Sequence, residues 1–352
     1  MTGPSRVPLS NPSRIRGVPS IMRISPAAAY LTLMAIGGAA CASPTPPAAS
    51  TKPDPHRSAG SSGGSTATPR KTASAVEARS TPATVPATPR CGALDCRLHE
   101  SVAAALKPLL ETDLQVIAFG EAHAQRGTEG IPSTARRFTS DLLPLFAGRS
   151  HDIVLELMLP NPECQEKEAE VVQRQEEVTR PQAESNQNEY VVLAQQAKEL
   201  GIRPHVLYPT CEQYEAILDA GAGDIDMMLA MTAELTERKV KALLGRNAMQ
   251  GTPGLVLTYG GLMHNDLEPR EGREAWSFGP ALNATTRGRY LAVDLIVREY
   301  IKDTSVWQAL SWFAHFDPKS HADAAVSFAP IPGELTVIFP GTTGSYAVDG
   351  NP

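Results

Sequence analysis

Aromatic side chains make up only 5% of the 352 residues, and after residue 41 there is no apolar run of the roughly 20 residues that a membrane-crossing helix needs. Basic charge is also scarce where it would matter. Residues 1–40 hold four Arg and no acid, residues 42–90 hold six basic residues against two acidic, and residues 91–352 hold 22 basic against 36 acidic, a balance of −14. A domain this acidic lacks the basic face that binding to phosphate requires, which excludes nucleic acid as a partner. No GxGxxG opens a helix after a strand, and the P-loop, HExxH and GxSxG patterns are missing. Their absence counts against dinucleotide, nucleoside triphosphate, zincin and serine-hydrolase chemistry.

The first 90 residues read as an address and a tether. From Met22 the chain shows a positive residue, the apolar stretch Ala27–Ala40 and then Cys41, preceded by Gly38, Ala39 and Ala40. This is the layout of a secretory signal, and small residues ahead of a Cys resemble a bacterial lipobox, so Cys41 is the expected lipidation site. Met1 and Met22 both serve as possible starts. In residues 42–90 the only large apolar residues are Val76 and Val85, and the rest is mostly Ala, Pro, Ser, Thr and Gly. Such a segment cannot bury enough surface to offset chain entropy and is expected to be a flexible linker. The sequence thus divides into a signal segment (1–41), a linker (42–90) and a folded domain (91–352). It describes an exported protein that meets a membrane surface only through a lipid anchor. Cys91, Cys96, Cys164 and Cys211 remain, an even number that suggests two disulfides in such a compartment. Three connectivities are possible; Cys91 with Cys96 suits a local loop and leaves Cys164 with Cys211.

In the folded part, short apolar runs alternate with helical patterns. Strands are expected at Leu114–Phe119, His151–Leu157, Arg203–Tyr208, Gly254–Tyr259, Tyr290–Val297 and Glu334–Phe339. Helical spacing covers Leu98–Leu110, Ser133–Phe146 and the Met-rich Asp224–Leu244, while residues 163–200 read as two exposed helices broken at Pro181. The alternation predicts an α/β domain with a largely parallel sheet flanked by helices. Ligands of such sheets sit beyond the carboxyl ends of the strands.

Two strand ends carry Gly-x-x-His. Gly120-Glu121-Ala122-His123 follows the first strand, and Tyr259-Gly260-Gly261-Leu262-Met263-His264-Asn265-Asp266 follows the fourth. Glu156 closes the second strand. Glycine at such a place lets the backbone approach a ligand closely. Two imidazoles with two carboxylates make a first shell for a divalent ion, which would acidify a bound water, and a carboxylate outside the shell would take its proton. On this reading His123 and His264 are ligands, Glu121 and Glu156 share the roles of ligand and base, and Asn265, Asp266 and Tyr259 support them. His205 reads as a core histidine. Asp294, inside an apolar strand, reads as reaching the crevice or pairing with an Arg.

FGEAH, a Glu at the next strand end and YGGLMHND together resemble the superfamily of TraB and Tiki proteins, ChaN-like haem-binding lipoproteins and erythromycin esterase-like enzymes. The resemblance spans roughly residues 110–300. It implies an α/β fold with a site built from Glu121, His123, Glu156 and His264, and a metal-dependent hydrolase of a peptide or ester. The alternative it implies is a haem-binding lipoprotein for iron uptake. Tyr208, Tyr259 and His264 are then the available axial ligands and the helix 224–244 the wall of the slot. A third reading is a tethered binding domain without chemistry. The partners expected are a small molecule, a peptide or haem.

Overall fold

The computed structural model describes residues 88–252 and 254–342. The signal segment, Cys41 and nearly all of the linker lie outside these residues. The strands are β1 (Arg97–His99), β2 (Val116–Glu121), β3 (Ser150–Met158), β4 (Arg203–Leu207), β5 (Leu255–Gly261), β6 (Tyr290–Ile296), β7 (Ala325–Phe328) and β8 (Glu334–Ile338). The α-helices are α1 (Val102–Leu106), α2 (Thr134–Arg137), α3 (Gln165–Arg174), α4 (Glu176–Thr179), α5 (Asn186–Glu199), α6 (Cys211–Asp219), α7 (Asp224–Gln250), α8 (Gly279–Thr286) and α9 (Ser305–Gln308). No described helix is long and apolar enough to cross a membrane.

The strands form one sheet in the order β1-β7-β8-β6-β2-β5-β3-β4. Only the β1–β7 and β7–β8 pairs are antiparallel. All six expected strands are present. The two unexpected ones, β1 and β7, are three and four residues long and sit at the antiparallel edge, too short to leave an apolar run of their own. The helical span at 98–110 is correspondingly cut up: β1 takes its start, Ser101 caps α1, and Pro108 tightens Lys107–Glu111 into a 3-10 turn. The helix at 133–146 likewise passes through a π turn and ends in a 3-10 turn at Pro144.

Alternation along the strands sends successive side chains to opposite faces. Ile117, Phe119, Ile153, Leu155, Leu257, Tyr259 and Val293 pack on one side, under Phe138 and the α5 residues Tyr190, Leu193 and Ala197. Val116, Ala118, Val154, Val256 and Ala292 pack on the other, under Tyr214 and Ile217 of α6, Met228 and Leu229 of α7 and Leu282 of α8. The region 163–200 is less exposed than its composition implies. Val171, Tyr190, Leu193 and Ala197 are buried, and so is Glu168, although residues 163–200 read as exposed helices. Amphipathic burial of one stripe explains the difference: polar residues fill the outward positions and hide the few that pack.

Cys91 pairs with Cys96 and Cys164 with Cys211, with Cα separations of 5.1 and 5.4 Å.

Candidate functional site

β2 lies at the centre of the sheet, between β6 and β5, and its last residue is Glu121. Glu121 shares the parity of Ile117 and Phe119, so its side chain leaves the sheet on the α5 face. There one carboxylate oxygen lies 2.6 Å from His123 Nδ1 and accepts the Tyr190 hydroxyl at 3.1 Å, while the other accepts the Tyr259 hydroxyl. All four side chains are buried. The rings of Tyr190 and Tyr259 meet edge to face at 5.5 Å, and Tyr259 packs on Phe138 at 4.5 Å. Burial, and next the charge of Glu121, push both phenols well above their ordinary range, so they stay protonated donors. His123 is thus held to Glu121 through Nδ1, and Nε2 is its remaining ring nitrogen. That nitrogen is buried and has no hydrogen-bond partner among the described residues.

Glu156 has the parity of Val154 and Met158 and leaves β3 on the α7 face. Its Oε2 accepts the Gly261 N–H at 2.5 Å, and its Oε1 lies 3.6 Å from His264 Nε2. His264 Nδ1 donates to the Trp276 carbonyl at 2.7 Å. Burial alone would lower the pKa of His264, but the charge and hydrogen bond of Glu156, the Trp276 carbonyl and the charge of Asp266 outweigh it, and the net direction is up. The space among Glu156, Thr236, Gly260, His264 and Phe278 amounts to about 10 Å³, room for one water.

The sequence motifs are therefore at the strand ends, as expected, but they form two His–Glu pairs on opposite faces of the sheet. Among the described residues no three His, Cys, Asp or Glu side chains are grouped so as to hold a metal ion. His123, His264, Glu121 and Glu156 are thus not gathered into one such group. The physical reason is parity: Glu121 and Glu156 sit on strands separated only by β5, yet they fall on odd and even positions of the pleat.

Asn265 is buried beneath this loop. Its Nδ2 donates to the Ala118 carbonyl at 3.2 Å and to Asp294 Oδ1 at 3.1 Å, and its own carbonyl accepts from Tyr290 at 2.7 Å. Asp294 thus pairs with an amide rather than an Arg; burial, then the charge of Asp266, push its pKa well up. Burial and the charge of Glu334 hold the Asp266 carboxyl at about 6. The glycines serve the chain itself. A Cβ at Gly120 would lie 2.6 Å from the Leu262 Cα and 2.8 Å from both terminal atoms of Asn265, so Gly120 admits the turn after β5 where a ligand was expected.

The three expected haem ligands are dispersed. Tyr208 is 56% exposed at the end of β4, under Lys239; Tyr259 is on the α5 face and His264 on the α7 face. A groove of about 830 Å³ does run along the Met-rich α7, lined by Met227, Ala230, Met231, Pro269, Ala275 and Pro280, but it touches none of the three. His205 is half-buried, its Nε2 2.8 Å from Asp152 Oδ1.

Sequence reasoning missed Tyr190, which orients Glu121, and the carbonyl of Trp276. Tyr190 had a signal: it is an aromatic at helical spacing from Leu193 and Ala197 inside a polar segment. A backbone carbonyl has none. Compared with protein-family models, curated proteins and solved structures, the chain matches none.

Proposed function

We propose that the domain is a hydrolase of a peptide or ester bond in which Glu121 and His123 form the acid–base pair. One observation carries this reading: the Glu121 carboxylate fixes His123 Nδ1 at 2.6 Å, and the opposite nitrogen is buried without a partner among the described residues. An imidazole held in this way removes a proton from an attacking water and returns it to the leaving group. Tyr190 and Tyr259 position the carboxylate by donating to it and touch no reacting atom.

The setting proposed is outside the cytoplasm, supported by the two cysteine pairs, with the lipid anchor at Cys41. Haem binding is the second reading, favoured by the Met-lined groove on α7; hemin titration giving a saturable Soret shift would bring it forward.

The test is hydrolysis of a p-nitrophenyl ester and a fluorogenic peptide by the purified chain. His123→Ala and Glu121→Gln should each lower kcat by roughly 100-fold or more. Hydrolysis of neither probe, or unchanged kcat in His123→Ala, overturns the proposal.

A further inference from the structure

The groove along α7 is lined by none of the four residues of the two His–Glu pairs. α7 packs against α6, and against the turn Glu274–Trp276 and α8, and all of these elements contribute to its walls. Its volume of about 830 Å³ falls within the roughly 300–1,000 Å³ of small-molecule sites. The lining is mainly apolar: Met227, Ala230 and Met231 come from α7, and Ala275 and Pro280 from the segment that follows β5. Met227 is 41% exposed there. Its unbranched thioether adapts to the shape of an apolar partner.

Charge along this groove has one sign. Glu212 of α6, Glu234 and Glu237 of α7 and Glu274 of the turn line it, and no Lys, Arg or His does. Two of the four are compensated on their own helix: Glu234 pairs with Arg238 at 3.2 Å and Glu237 with Lys241 at 2.5 Å. Glu212 and Glu274 have no ion pair among the described residues. Lys167, whose charge reaches Glu212, pairs with Glu215 at 2.9 Å. The backbone N–H of Glu212 itself, and next Thr210, hold its carboxyl below the usual carboxylate range. Glu274 accepts the Gly272 N–H at 3.1 Å, a neutral donor, while its neighbour Arg273 lies over the Trp276 ring. Two uncompensated carboxylates from separate elements thus border one apolar cleft, and a cleft lined by one sign of charge concentrates the opposite sign.

We propose that this groove binds a small organic cation, an apolar body carrying a protonated amine. The body removes the methionine, alanine and proline lining from water, and the amine meets the carboxylates of Glu212 and Glu274. A carboxylate on the same body meets like charge instead. Haem brings its propionates to the same rim, so the sign of the ligand separates the two readings of the groove. The site lies on the α7 face, away from Glu121 and His123 on the α5 face, and neither needs nor tests the hydrolase reading.

The experiment titrates the full chain, carbon-13 labelled at the methionine methyls, with phenylbutylamine, phenylbutanol and phenylbutyrate at neutral pH. These probes share one body and differ in charge. Met227→Leu and Met231→Leu assign the two methyl resonances. The amine should shift both methyls saturably and bind about tenfold or more tighter than the butyrate, with the alcohol between them. Glu212→Gln combined with Glu274→Gln should weaken the amine about fivefold or more and change the alcohol by less than about twofold. Both glutamates are exposed, so the double variant keeps the fold. Absence of a saturable shift at Met227 and Met231, a butyrate that binds as tightly as the amine, or an amine affinity untouched by the double variant would each overturn the assignment. Hemin displacing the amine at equal concentration would overturn it too and return the groove to haem.

Discussion

The carboxylate of Glu156 occupies the space that a side chain at Gly260 would take: a Cβ there would lie 2.8 Å from the Glu156 Cβ. The two residues stand side by side on the α7 face of β3 and β5, and Glu156 bends over Gly260 to accept the N–H of Gly261. A small residue on one strand is what lets an acid lie flat on the sheet beneath His264.

Gly260→Ala should therefore lower stability by about 1–3 kcal/mol, by overpacking, in urea unfolding. The loss should shrink by at least roughly 0.5 kcal/mol in a Glu156→Ala background, since the two side chains share one space. Gly120→Ala should show no such rescue by Asn265→Ala, because its nearest neighbour is the Leu262 backbone. Additive behaviour of Gly260→Ala and Glu156→Ala would contradict the contact.

Asp152 makes a second prediction. Fully buried at the start of β3, it accepts from Arg246, from His205 at 2.8 Å, from Asn247 at 3.0 Å, and pairs with Arg203 at 3.2 Å. Burial pushes its pKa up, but the hydrogen bonds from Arg246, His205 and Asn247 outweigh it and bring the carboxyl from 3.8 down to about 2. A depressed folded-state pKa adds stability that is present above about pH 4 and is lost as the pH falls towards 2. The contribution is on the order of 2 kcal/mol. Unfolding free energy measured between pH 5 and 2 should fall less steeply in Asp152→Asn than in the unsubstituted chain, and the variant should be less stable at pH 7. Parallel pH profiles would count against the ion cluster.

The two cysteine pairs should differ in worth. Cys164 and Cys211 are 47 residues apart and Cys91 and Cys96 only five. On chain-entropy grounds, replacing the first pair with Ser should cost about 4 kcal/mol and the second about 2. Urea midpoints of the two double variants test the order; a larger loss for Cys91 and Cys96 would reverse it.

Much was legible in the residues themselves. The six longer strands showed as apolar runs because a parallel strand is covered on both faces and needs no polar alternation. The position of Glu121, His123, Glu156 and His264 at strand ends came from the same runs, and the two cysteine pairs stood as one of three options. What the chain alone could not give was how those four side chains are shared out. Whether two acids meet depends on the register of β2, β5 and β3 together, and a one-residue change of parity moves a side chain through the sheet. Only the assembled sheet decided that Glu121 joins His123 under α5 and Glu156 joins His264 under α7. It also brought Tyr190 onto Glu121, because burial of a single stripe of a polar segment is decided by what it packs against and not by its average composition.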